Sequence, residues 1–93
     1  MQTRAERIES LLRAHFAPSR MEIRDDSARH AGHDGARAEG ETHYSVRMVA
    51  ASFRGQSRVE RARAVHEALR EEFGTGLHAL SLSLAAPDEE RGG

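Results

Sequence analysis

The sequence predicts a small α+β domain, with two main helices packed on one face of a three-stranded sheet in the order helix, strand, strand, helix, strand. Three observations carry this prediction. Two tetrapeptides, Thr3-Arg4-Ala5-Glu6 and Ser57-Arg58-Val59-Glu60, have the capping-box pattern and open stretches with apolar residues at helical spacing. Three short segments alternate apolar and polar residues, as half-buried strands do. The last of these returns only after the second helix, so the sheet cannot be wholly antiparallel and built by hairpins.

The first helix places Ile8, Leu11, Leu12 and His15 or Phe16 along one stripe, and Pro18 ends it. Met21-Glu22-Ile23-Arg24-Asp25 alternates as the first strand. Between residues 26 and 40 the pattern vanishes: three Gly, two His and several charges, with no apolar residue larger than Ala, read as a long loop. Long irregular segments in compact domains either carry function or stay disordered. The second strand, 42–51, puts Tyr44, Val46 and Met48 on one face and His43, Ser45 and Arg47 on the other. Phe53-Arg54-Gly55-Gln56 supplies a turn. Val59, Ala62, Val65, Leu69 and Phe73 then form the stripe of a second helix closed by Gly74. The last strand, 77–84, sets Leu80, Leu82 and Leu84 against Ser81 and Ser83. Residues 87–93 read as a polar, frayed tail beyond an ordered core of about 3–86, and residues 1–93 as a single domain.

Composition narrows the chemistry. A chain of 93 residues holds one small core and buries roughly 60–65% of the surface it exposes when unfolded. No apolar run approaches the ~18 residues of a membrane span, and no signal-peptide pattern opens the chain, so the cytoplasm is the expected compartment. A net charge of −1 removes a global pull on nucleic acid, although a local basic patch remains open. All 14 bases are Arg, which excludes Lys-based covalent catalysis. The absence of Cys excludes thiolate catalysis, disulfides and any sulfur ligand from this chain, whereas six His are many for its length. A metal would be held by imidazole and carboxylate, or a partner would supply the sulfur.

The densest candidate cluster is Arg29-His30-Ala31-Gly32-His33-Asp34-Gly35. Two imidazoles three residues apart, beside Asp34 and between glycines, can converge on a transition metal; the alternative is a solvated polar loop. His43 reads as an exposed strand residue. His78 shares the parity of the leucines and reads as a half-buried side chain bonded to backbone. His66 edges the apolar stripe of the second helix, and His15 sits favourably at a helix C-terminus. No strained-turn nucleophile, paired carboxylate, phosphate loop or dinucleotide fingerprint is present, so the chain is not expected to be an enzyme. Gly32-His33-Asp34-Gly35 matches the GxxG of KH domains in letters, but it lies between two strands rather than two helices and carries an acid. Arg54, Arg58, Arg61 and Arg63 form a better nucleic-acid patch, opposed by Glu60, Glu67, Glu71 and Glu72.

Three segments together are recognisable: Asp25-Asp26-Ser27-Ala28-Arg29-His30-Ala31-Gly32-His33, Gly40-Glu41-Thr42-His43-Tyr44, and Gly76-Leu77-His78-Ala79-Leu80-Ser81-Leu82. In this order and over nearly the whole chain, from about Ile8 to Pro87, the sequence resembles the BolA family. The resemblance implies a fold related to the class II KH domain and a non-enzymatic role. It implies pairing with a monothiol glutaredoxin, the two proteins sharing a [2Fe–2S] cluster, with thiolates from the partner and its glutathione. By position the family's imidazole ligands fall on His30, for which His33 is an alternative, and on His78. The partner-facing surface would include the second helix, making Arg61 and Arg63 contacts. The family usually reads R-H-R there, whereas this chain has Arg61-Ala62-Arg63; His66, one turn on, can partly substitute.

Three functional readings follow. The first is the cluster adaptor in iron–sulfur trafficking or iron and redox regulation, monomeric or weakly homodimeric when alone and with no membrane partner. The second is a DNA-binding transcriptional regulator, a role also ascribed to the family, using Arg54 and Arg58. The third is a mononuclear metal site on His30 and His33 alone, disfavoured because a mobile loop loses ordering entropy before it gains coordination bonds.

Overall fold

The computed structural model describes residues 2–26 and 43–89. His30 and His33 therefore lie outside the described residues, as do positions 90–93 of the polar tail.

Helix α1 spans Arg4–Phe16 and begins as its sequence dictates. The Glu6 amide donates to Thr3 Oγ1 at 3.2 Å, and the Thr3 amide donates to Glu6 Oε1 at 2.8 Å. Two of the helix's orphan donors are thereby satisfied. Ile8 and Leu12, four residues apart, are fully buried. The helix stops at Ala17, which adopts the left-handed conformation at φ 46° and bonds its amide to the Arg13 carbonyl, just before Pro18.

Strand β1 (Arg20–Asp25) pairs antiparallel with β2 (His43–Val49), and β2 pairs parallel with β3 (Ala79–Ala85), giving the sheet order β1-β2-β3. The register aligns Ile23, Val46 and Leu82 in one row and Met21, Met48 and Leu84 in the next. These rows face Ile8, Leu12, Phe53, Val65 and Leu69 in a single apolar core. Each such side chain removed from water contributes about 1.5–3 kcal/mol. The other face of the sheet carries the rows Arg24, Ser45, Ser81 and Glu22, Arg47, Ser83. The α+β class and the strand order agree with the sequence reading.

The second helical segment differs from the expected single helix. It is α2 (Arg58–Ala68) followed by the short α3 (Arg70–Gly74), broken at Leu69, where φ is −104° and ψ 16°. The Ser57–Glu60 capping box is present in both directions. Val59, assigned to the buried stripe, is 57% exposed. The reason is helical geometry: six residues from Val65 is about 600° of rotation, leaving Val59 about 120° off the buried face. Arg61, four residues from Val65, takes that face instead and is buried.

Two ion-pair clusters fasten the helices. Arg4, buried at the start of α1, donates to Glu72 Oε1 at 2.8 Å and to the Thr75 carbonyl at 3.0 Å, while Arg7 Nε meets Glu72 Oε2 at 3.0 Å. Gly76 lies against this cluster at φ 130°, where a Cβ would sit 3.0 Å from Arg4 Nη2. At the other end, the segment read as the start of a frayed tail is an ordered 3-10 turn, Pro87–Glu89. Glu89 accepts from both Arg61 Nη1 and Nη2, at 2.7 and 2.8 Å, and from the Ala86 amide at 3.1 Å. The polar composition of the turn concealed a specific buried cation for it to hold.

Candidate functional site

The site begins where β1 ends and where β2 and β3 begin. The chain leaves this end of the sheet after Asp26 and returns to it at His43, and the Asp26 amide donates to the His43 carbonyl at 2.7 Å. Asp26 and His43, the described residues nearest in sequence to His30 and His33, thus meet at this end. Asp26 is held in turn: its carboxylate accepts from Arg24 Nε at 2.8 Å and from the Ser45 hydroxyl.

His78 immediately precedes β3 at the same end and is exposed, contrary to the half-buried position that its parity with the leucines predicts. Parity applies within a strand, and β3 starts one residue later, so His78 is freed from the sheet's alternation. Parallel pairing sets His43 opposite Ala79, the residue after His78. The two imidazoles consequently lie with ring centres 6.2 Å apart and planes tilted by 34°. Two imidazoles on one tetrahedral ion have ring centres roughly 5 Å apart, closer than these two lie. His43, read from the sequence as an exposed strand residue, is half-buried. The signal that finds it is the β2–β3 register, which alternation alone does not supply. Among the described residues no group of three or more His, Asp or Glu is arranged to hold a metal ion. What this end of the sheet offers is imidazole at the surface, able to complete a ligand set shared with other groups.

The basic residues of α2 separate into two kinds. Arg54, Arg58 and Arg63 are exposed, Arg54 with a loose 3.6 Å contact to Asp88. Arg61, expected among the partner contacts and in the same patch, points inward. Its guanidinium lies 5.8 Å from the centre of the Phe53 ring and donates to the Gln56 carbonyl at 3.1 Å besides its two bonds to Glu89. The continuous basic patch is therefore interrupted, and Arg61 has little surface to offer a partner. The same pair holds the Glu89 carboxyl down at about 2, through the Arg61 hydrogen bonds first and the Ala86 amide second, and pushes the Arg61 pKa up. Ala62 is half-buried, and the exposed His66 ring stacks on Phe73 with centres 5.0 Å apart.

A family model described as BolA-like protein matches residues 12–89. The chain belongs to the BolA family. It is 42% identical over 91 residues to the Arabidopsis thaliana protein "BOLA1, chloroplastic", an alignment covering 96% of this chain and 57% of that one, so this chain spans little more than half of that relative. The solved structure of Arabidopsis thaliana BolA1 superposes with a TM-score of 0.86 at 40% identity, covering 97% of this chain and 98% of that one. The Escherichia coli protein named "DNA-binding transcriptional regulator BolA" is 40% identical over 77 residues, covering 83% of this chain and 70% of that protein. The BolA fold thus accounts for the order of elements and for the placing of His43 and His78 at one end of the sheet.

Proposed function

We propose that this BolA-family chain is a non-enzymatic cytoplasmic adaptor that pairs with a monothiol glutaredoxin and carries a [2Fe–2S] cluster between the two proteins. The observation that carries the reading is the exposed His78, beside His43, at the sheet end from which the segment holding His30 and His33 departs. The cluster is cargo, and a chain with no Cys needs its sulfur ligands from the partner and glutathione. In this reading His78 and His30, with His33 as the alternative, donate imidazole nitrogens. Replacing thiolate by imidazole raises a cluster's potential and makes it sensitive to protonation. The exposed Arg63 and His66 on α2 would contact the partner.

The test mixes the apo-protein with monothiol glutaredoxin, iron, sulfide and glutathione under anaerobic conditions. Visible circular dichroism and size-exclusion chromatography are recorded together. A heterodimer with a spectrum distinct from that of the glutaredoxin homodimer, altered again by His78→Ala, supports the adaptor. A glutaredoxin spectrum unmoved by this protein removes it.

A second reading, a DNA-binding regulator, is favoured by the exposed Arg54, Arg58 and Arg63 and by the name of the Escherichia coli relative. Phosphate contacts would make affinity fall steeply with salt, so a salt titration on duplex DNA tests it. No binding at physiological salt dismisses it.

A further inference from the structure

The two edges of the sheet differ in chemistry. β1 exposes Arg20, Glu22, Arg24 and Asp25 along its length, the kind of charge that discourages a further strand from pairing. β3 carries no charge, no Pro and no Gly: it reads Ala79-Leu80-Ser81-Leu82-Ser83-Leu84-Ala85. That sequence is a palindrome centred on Leu82.

Its backbone is oriented to use the edge. The Ala85 carbonyl accepts from the Ala50 amide on the β2 side, so alternate residues of β3 face β2. Leu80, Leu82 and Leu84 therefore turn their N–H and C=O groups outward. Consistent with this, the Leu84 carbonyl is reached from the outer side by Arg61 Nη1, at a long 3.4 Å. On its helix side the edge borders a groove lined by Arg58, Arg61, Leu82, Leu84 and Glu89, in which Arg61 and Glu89 are bonded to each other.

We propose that β3 pairs with β3 of a second copy of this chain, antiparallel about a two-fold axis at Leu82, joining two sheets into one of six strands. The palindrome is what selects a second copy over another partner. Under that axis Leu82 meets Leu82, Leu80 meets Leu84, Ser81 meets Ser83 and Ala79 meets Ala85, so like faces like on both sides of the extended sheet. The outward-facing backbone groups of Leu80, Leu82 and Leu84 then fall on the hydrogen-bonded pairs of an antiparallel ladder, and Ser81 and Ser83 on the closer, non-bonded pairs. An isologous contact of this type closes on itself and stops at a dimer. Each His78 lies four residues from the axis, about 13 Å along the strand, so the two histidine ends point away from each other and stay open.

The test is the mass of the full chain by light scattering or sedimentation over a concentration series. The wild type moves from 10.3 kDa toward twice that mass as concentration rises. S81E/S83E places like charges directly opposite across the axis, at exposed positions that do not touch the core, and shifts the monomer–dimer midpoint at least about tenfold upward. S81K/S83E places opposite charges there and restores the dimer. The thermal melts of both variants serve as the folding control. The proposal is overturned by a wild type that stays monomeric up to the order of 1 mM. It is equally overturned by an S81E/S83E variant that dimerises like the wild type, or by failure of S81K/S83E to recover what S81E/S83E loses.

Discussion

The Arg61 guanidinium grips the Glu89 carboxylate with two bonds, at 2.7 and 2.8 Å, and so fastens the turn after β3 to the early turns of α2. Arg61 is the buried member of the pair, and removing Glu89 leaves a positive charge facing the Phe53 ring without its hydrogen-bonded carboxylate. Glu89→Gln is expected to lower the urea midpoint at neutral pH by more than Asp88→Asn, whose contact with Arg54 is exposed.

The same pair sets a pH dependence. The Glu89 carboxyl is held down at about 2 from an ordinary 4.5, so its stabilisation is fully present above 4.5 and is lost as pH falls through about 2. Urea midpoints of the wild type and Glu89→Gln should differ at neutral pH, converge below pH 4.5 and coincide only below pH 2. A gap that persists unchanged to pH 2 would show that the difference does not come from the ionised carboxylate.

The left-handed Ala17 is the only non-glycine residue with positive φ among those described. Its Cβ crowds the adjacent carbonyl, a cost of about 1–2 kcal/mol that glycine avoids. Ala17→Gly should raise stability by about 0.5–1 kcal/mol after the entropy of the added glycine is counted, measured by urea denaturation.

The stripe of α2 offers a paired test. Val59→Ala should change stability by no more than about 0.5 kcal/mol, whereas Leu69→Ala, fully buried, should cost about 3 kcal/mol. Equal losses at the two positions would contradict the observed rotation of the helix.

The two described histidines of the sheet end should separate in the cluster-loading assay. His78→Ala should abolish the heterodimer spectrum, while His43→Ala should alter band positions and leave the complex assembled. Loss of assembly in His43→Ala alone would make the half-buried ring the principal ligand.

Much of the fold was legible in the sequence because its signals are local. Thr3 with Glu6 and Ser57 with Glu60 are separated by three residues, and their caps form as read. The alternations around Val46 and Leu82 likewise mark faces that depend only on each strand. What escaped depends on partners far along the chain. Arg61 reads as a surface base until Glu89, 28 residues later, is seen to need it. Arg4 and Glu72, 68 positions apart, give no local hint of their pairing. His43 acquires a neighbour only through the register of β2 on β3. Val59 leaves the buried face because the three-residue spacing of Val59, Ala62 and Val65 drifts off the 3.6-residue period.

The parallel placing of β3 against β2 also governs the order in which the domain can be made. A nascent chain that has exposed α1, β1 and β2 can close the hairpin but has only one flank of its central strand covered. The residues that complete the core, from Leu77 through Ala86, are among the last of those described to emerge. Until Ala86 clears the ribosome, the leucine-facing side of β2 stays wet, so acquisition of the native state awaits nearly the full domain. A synthesis-arrest series should accordingly show protease resistance appearing in one late step rather than growing with length.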